Sequence, residues 1–366
     1  MSEPIGVGLI GCGHVAELRH LPVLSRLASA RVVAVADLDP NRAQRLGERF
    51  AVPRRYREPQ QLLADQEVEV VAVLVPATDH TEVTIAALEA GKHVLVEKPL
   101  ATSLADGDRM IAAAARTSAK VGIGFNLRAH PLIRRARELL LSGVVGTIEA
   151  IHGMVSGSHE RGSGGEWRGW RADRRRGGGT LFEIAPHHYD LWRHLTGTEV
   201  EEVSALTRRD ATGEVGASIS ARLSGGPLVS TAFVHSPTTV NQLTVQGPGG
   251  RLDVSPLEYD GLRFTPSSAF PGDLRVRARR LREALVQLPR ALGALRQGGE
   301  YPLSYERQWE LFLAAVRDGQ PVLCSLEDGQ KALQVALAAV SSDAQGRVVR
   351  VLEAPEDLSA ALHGSR

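Results

Sequence analysis

The sequence predicts an α/β chain in two parts. Residues 1–125 read as a doubly wound parallel sheet, and residues 126–366 as an α+β domain with a largely antiparallel open sheet. Three observations lead there. Short runs rich in Val and Ile alternate with Ala/Leu-rich amphipathic stretches through the first third, strand patterns then follow one another without helices, and helical patterns close the chain.

In order, Ile5–Ile10, Arg31–Ala36, Val70–Val75 and His93–Val96 read as strands, with Val121–Gly124 as one more. They are apolar on both faces, as strands covered by helices on each side must be. Val15–Leu27, Pro40–Phe50, Thr81–Ala90 and Leu104–Arg116 read as the intervening helices. Beyond Asn126, a helix over Pro131–Leu141 runs into a Ser142-Gly143 stop, and Glu183–Leu195 reads as another. Glu201–Arg208, Gly216–Leu223, Val229–His235 and Gln242–Gln246 are separated only by turn residues, which implies antiparallel pairing. Helices over Tyr305–Arg317 and Leu326–Ser341 finish the chain. The segment Leu274–Arg296 carries seven arginines against one glutamate. Broken by Pro289 and Gly293 and lacking interleaved aromatics, it reads as a solvated helix face and not as an anion or partner surface.

The 366 residues are 43% hydrophobic and 23% charged, too apolar for a disordered chain. Lysine plus arginine (43) nearly cancels aspartate plus glutamate (42), so no global field draws in nucleic acid or acidic lipid. Two cysteines, Cys12 and Cys324, exclude a disulfide scaffold and a cysteine-rich zinc site. The Met1-Ser2-Glu3-Pro4 start has no basic n-region, and no apolar run approaches the roughly 20 residues of a membrane span. A cytoplasmic protein without nucleic-acid or membrane partners is expected.

Two glycine patterns overlap near the N-terminus. Gly6-x-Gly8-x-x-Gly11 fits the dinucleotide expression, but its first two glycines fall inside a strand, where no phosphate can be cradled. The productive register is Gly11-Cys12-Gly13-His14-Val15-Ala16, which starts where the strand ends and opens a helix. Gly11 permits the tight turn, Gly13 lets a pyrophosphate approach backbone N–H groups, and Ala16 is small enough for helix–strand packing. Asp37 ends the second strand, where a carboxylate accepts ribose hydroxyls and repels a 2′-phosphate. This is a Rossmann fingerprint, and it favours NAD over NADP. The competing reading of Asp37 is a cap for the helix after Pro40.

Three further blocks accompany it: Val75-Pro76-Ala77-Thr78-Asp79-His80, Val96-Glu97-Lys98-Pro99, and Gly177-Gly178-Gly179-Thr180 through Glu183 and Ala185-Pro186-His187-His188-Tyr189-Asp190. Together with the fingerprint they resemble the Gfo/Idh/MocA family of oxidoreductases, the relatives of glucose–fructose oxidoreductase and inositol dehydrogenase. The likeness covers almost the whole chain, including the Gly122–Arg128 junction and Pro321–Ser341. It implies an N-terminal Rossmann domain and a C-terminal sheet that often forms a dimer or tetramer interface. It also implies hydride transfer between NAD(H) and a secondary alcohol or ketone of a sugar, sugar nucleotide or cyclitol. By position, Lys98 matches the family's active-site lysine, His187 its catalytic histidine, and Glu183 stands where an aspartate is usual. The resemblance suggests a cis Lys98–Pro99 bond.

The chemistry follows from those residue types. A carbinol that loses hydride must also lose its hydroxyl proton, and an imidazole of ordinary pKa ~6.5 suits that base role. A Lys98 ammonium at the same oxygen would stabilise developing negative charge, so no metal is required. The extra methylene of Glu183 displaces its carboxylate by about 1 Å, enough to cost on the order of 100-fold in rate unless compensated. Pro76, His80 and Glu97 join Gly11, Gly13, His14, Val15, Asp37 and Lys98 as candidate cofactor contacts. Asn126, Arg128, Asp190 and Trp170 are candidate substrate contacts, with Trp170 read as a sugar platform or core packing. Two other functions stay open at this point: an NAD-dependent glycosidase working by transient oxidation, and a non-catalytic NAD(H)-binding protein.

Overall fold

The computed structural model describes residues 3–157, 174, 177–210, 213–270, 272–296 and 301–363. Trp167, Trp170 and Arg171 lie outside them.

Six strands form the first sheet: β1 (Ile5–Ile10), β2 (Ala30–Ala36), β3 (Arg54–Tyr56), β4 (Val70–Val73), β5 (His93–Val96) and β6 (Val121–Ile123). Their order is β3-β2-β1-β4-β5-β6 and every pairing is parallel, a Rossmann arrangement with its switch point between β1 and β4. Both faces are covered, because the strands are buried on both sides and packed by helices that include α2 (Pro40–Arg49), α4 (His80–Glu89) and α5 (Leu104–Ala114). Short β3 and the helix α3 (Pro59–Leu63) carry too few residues to show a period in the sequence.

The expected helix Val15–Leu27 is broken. A single wide turn over Ala16–His20 gives way to α1 (Leu21–Leu24), with Leu21 N–H bonded back to the Ala16 carbonyl. Pro22 is the reason: it has no N–H for a continuous ladder, so it is tolerated only where a helix restarts. The consequence reaches the site, because the wide turn sets His20 facing inward.

The second sheet holds β7 (Ala150–Gly157), β8 (Val200–Asp210), β9 (Gly213–Leu223), β10 (Leu228–His235), β11 (Val240–Gly247), β12 (Gly250–Val254), β13 (Leu262–Pro266) and β14 (Val349–Arg350). Its order is β13-β12-β11-β7-β10-β9-β8-β14, antiparallel except for the β7–β10 pair. Strand β7 was missed in the sequence because Gly153, Gly157 and His152 interrupt its alternation. Gly153 lies opposite Thr231, where a Cβ would come within 2.6 Å of the threonine hydroxyl.

After the short turn Asn126–Ala129, the helices α6 (Pro131–Leu141), α7 (Pro186–Thr196), α8 (Leu274–Arg296), α9 (Pro302–Asp318), α10 (Leu326–Gln345) and α11 (Leu358–His363) complete the chain. Helix α10 is buried all round over residues 335–342, and it joins the inner face of the second sheet to the first domain in one continuous core. The division at residue 125 separates the two sheets, but α9 crosses it: Tyr305, Trp309, Phe312 and Leu313 pack into the core beneath β1 with Leu9 and Leu21.

One ion-pair cluster ties these pieces together. The Arg128 guanidinium donates to Asp190 of α7 (Nε to Oδ2, 2.7 Å) and to both carboxylate oxygens of Asp328 on α10 (2.9 Å each). Arg128 and Asp190 are buried, so their charges are used up inside the protein. The two side chains expected at the substrate thus clamp three elements together. Breaking a buried pair by removing one partner costs about 3–5 kcal/mol. Arg128→Met therefore lowers the unfolding free energy by about that amount in urea denaturation, while the folded variant keeps its NADH affinity. A raised KM for the polyol without loss of stability would return Arg128 to the substrate cleft.

Candidate active site

The glycine turn is shaped for a dinucleotide. Gly11 has φ +101°, and a Cβ there would lie 2.6 Å from the Leu74 carbonyl, so only glycine fits against the end of β4. A Cβ on Gly13 would meet nothing within 4 Å, which leaves that face of the turn open beside His14 and Val15. Gly6 and Gly8 are inside β1, as the register argument required; Cβ atoms there would strike the Glu67 carbonyl at 1.8 Å and Leu62 at 2.8 Å.

Asp37 faces the turn. Its Oδ2 accepts the Cys12 N–H at 2.7 Å and its Oδ1 accepts the Asp39 N–H at 2.9 Å. Asp39, not Asp37, caps α2 by accepting from Asn41 N–H, so the capping alternative for Asp37 falls away. The open glycine face, the start of a helix and the adjacent carboxylate fit the ribose and pyrophosphate of NAD. Cys12 is buried in the turn, and burial together with Asp37 pushes its thiol up to about 12.

The remaining motifs converge at the carboxyl ends of β4 and β5. Lys98 leaves β5 just before a cis bond to Pro99. Its ammonium donates to the Glu183 main-chain carbonyl at 2.6 Å and pairs with Glu183 Oε1 at 3.5 Å. Both side chains are almost buried, at 12% and 13% exposure. Glu183 belongs to a single wide turn, Thr180–Ile184, closed by Ala185 N–H on the Thr180 carbonyl, and Pro186 starts α7 one residue later. The usual aspartate is thus replaced at a point where the shortest lysine contact is to backbone. Side-chain length does not move that acceptor.

His187, in the first turn of α7, stands edge-on to Phe125 with ring centroids 6.3 Å apart. Its Nδ1 is buried without a hydrogen-bond partner among the described residues. Burial, and then the nearby Lys98 ammonium, bring its pKa down to about 3. The imidazole is therefore neutral at pH 7, the form that accepts a proton. His188 points away onto Phe233, fully buried, and burial lowers it to about 4.

Three candidates have partners other than those expected. His80 is buried with Nδ1 2.9 Å from the Pro99 carbonyl and Nε2 2.9 Å from the Val75 carbonyl, so it links two motif loops. Asn126 is wholly buried and donates to Ser304 Oγ at 2.7 Å. Glu97 points inward as well: its Oε1 lies 3.0 Å from His20 Nε2, and its Oε2 accepts the Lys98 N–H at 3.2 Å. Pro76 is half-buried on the loop beside Ala77, which Gly177 approaches: a Cβ on Gly177 would lie 3.6 Å from the Ala77 Cβ.

His20 was not singled out in the sequence. Trp309 Nε1–H donates to its Nδ1 at 3.1 Å, which fixes the proton on Nε2 facing Glu97. The chain Trp309, His20, Glu97 is buried end to end, and Gly124 leaves the room it needs: a Cβ there would sit 2.9 Å from Glu97 Oε1. Although burial alone would raise Glu97, the His20 hydrogen bond and the charge of Lys98 hold it below the usual carboxylate range. The available signal was spacing: Ala16, His20 and Leu24 share the apolar stripe of their segment. Two more groups were missed. His235 at the end of β10 reaches Thr180 Oγ1 at 3.4 Å. Glu214 accepts Leu181 N–H at 3.0 Å and pairs with Arg174, securing the glycine loop.

His20→Ala strands the Glu97 carboxylate in the interior and costs about 3 kcal/mol in urea denaturation. Adding Glu97→Gln to that variant recovers most of the loss. If the two changes are simply additive, the pairing does not exist.

The comparisons agree with this geometry. The model of the oxidoreductase family with an NAD-binding Rossmann fold, GFO/IDH/MocA, matches residues 5–125, and the model of the GFO/IDH/MocA C-terminal domain matches residues 133–253. The chain is 26% identical to myo-inositol 2-dehydrogenase from Thermotoga maritima, over 95% of its own length and 98% of the relative's. It is 30% identical to dTDP-3,4-didehydro-2,6-dideoxy-alpha-D-glucose 3-reductase from Actinomadura kijaniata, over 84% of its length and 91% of the relative's. Its fold resembles scyllo-inositol dehydrogenase from Lactobacillus casei, a structure with NAD(H) and scyllo-inositol bound, with a TM-score of 0.76 and 19% identity over 95% of this chain and 99% of that one. The chain belongs to the Gfo/Idh/MocA family of NAD-binding oxidoreductases.

Proposed function

We propose that the protein transfers hydride between NAD(H) and a secondary alcohol or ketone of a sugar, sugar nucleotide or cyclitol, with Lys98 and His187 at the reacting oxygen. The observation that carries this reading is the contact of Lys98 Nζ with Glu183, four residues before His187, at the carboxyl end of β5. Relatives named for inositol and for a dTDP-sugar support the substrate class.

When bound, NAD supplies the hydride acceptor or donor, held by Gly11, Gly13, His14, Val15, Asp37 and Pro76. The chain's own residues handle the oxygen. Lys98 donates to it and, nearly buried, stabilises alkoxide character more than an exposed ammonium would. Neutral His187 takes the hydroxyl proton in oxidation and returns it in reduction. A base held near 3 is weak, so Lys98 must carry much of the stabilisation by lowering the pKa of the alcohol it touches. Glu183 holds the ammonium in place through its main-chain carbonyl.

Two outcomes test the assignment. Across a panel of sugars and cyclitols followed by NADH absorbance, Lys98→Ala and His187→Ala each lose about 10²–10⁴-fold in turnover but keep NADH affinity. Unchanged turnover in both variants would remove the roles. The pH dependence follows from the lowered His187 pKa of about 3. The imidazole stays unprotonated across the neutral range, so kcat/KM for oxidation shows no acid limb near the ordinary histidine pKa of ~6.5. A His187-dependent limb there would contradict the burial argument.

A further inference from the structure

Helix α8 is the feature that the active site does not use. Its leucines are exposed in a row: Leu274 by 80%, Leu281 by 65%, Leu285 by 60% and Leu288 by 48%. Val286 is 70% exposed and Phe270, just before the helix, 77%. At 100° per residue the four leucines fall within about 60° of arc, and the sequence continues the spacing through Leu292 and Leu295. Exposed Arg275 and Arg282 flank this stripe on one side and exposed Arg277 on the other. The arginines alone suit a solvated face; the row of bare leucines does not.

We propose that α8 is an interfacial helix that seats the protein on an anionic lipid surface. An apolar stripe with cationic borders is the pattern of a helix lying in the plane of a bilayer boundary. Leucines enter the acyl region without needing a matching groove, and arginine side chains are long enough to reach headgroup phosphates from the same helix. The segment has seven arginines against one glutamate in a chain of net charge +1, so the rest of the molecule is acidic and the attraction is confined to α8. A second copy is a poor occupant, because two such helices side by side would set arginine against arginine along their borders. Among the described residues no helix is long and apolar enough to cross a membrane, so the association is peripheral.

The test is co-sedimentation of the full-length protein with vesicles of equal parts phosphatidylglycerol and phosphatidylcholine, against vesicles of phosphatidylcholine alone. The protein pellets with the anionic vesicles only, and added salt weakens the binding. Leu281→Glu/Leu285→Glu abolishes it while NADH affinity, which reports folding, is unchanged. Near an anionic surface each arginine is worth about fivefold in partitioning, so Arg275→Glu/Arg277→Glu/Arg282→Glu weakens binding more than a hundredfold by the same estimate. Absence of sedimentation with anionic vesicles, or equal binding to both compositions, overturns the proposal. So does a dimer that the leucine variant splits while vesicle binding persists, since a second copy would then cover the stripe.

Discussion

The geometry of the candidate site depends on one hydrogen bond, from the Lys98 ammonium to the main-chain carbonyl of Glu183 at 2.6 Å. It joins a strand end of the first sheet to the turn that launches α7, two places 85 residues apart in sequence. A nearly buried ammonium needs such a partner, and its charge adds to burial in keeping the neighbouring imidazole neutral. The lysine is thus an electrostatic centre as well as a candidate catalytic group.

That centre is braced from behind. The Lys98 N–H is held by Glu97, Glu97 by His20, and His20 by Trp309 of α9. His80 links the carbonyls of Val75 and Pro99, connecting the loop after β4 to the loop after β5. On the opposite side, Glu214 and Arg174 secure the glycine loop, and the Arg128 clamp holds α7 against α10. Segments beyond residue 300 therefore brace a site whose motifs end at Asp190. That explains why α9 and α10 pack on the nucleotide-binding core instead of forming an independent layer.

The first sheet was legible because its strands are apolar on both faces, and the Gly11 register because only one of two overlapping patterns starts where a strand ends. The convergence of Lys98 with the Glu183–His187 segment was legible through motifs read together. What escaped has physical causes. Glycines and polar residues hid β7, and Pro22 redirected a helix that looked continuous. A sequence displays the charges and amides of Arg128, Asp190, Asn126 and Glu97 but not their partners within the fold. The partners of Arg128 lie 62 and 200 residues away. His20 stayed unnoticed for the converse reason: a histidine on an apolar stripe looks like packing until its two neighbours are seen.

The most direct measurement is a crystal structure with NAD and a bound polyol. The account predicts the nicotinamide C4 facing a carbinol whose oxygen lies within hydrogen-bond reach of both Lys98 Nζ and His187. A nicotinamide turned away from these two side chains, or a substrate oxygen held by neither, would contradict it.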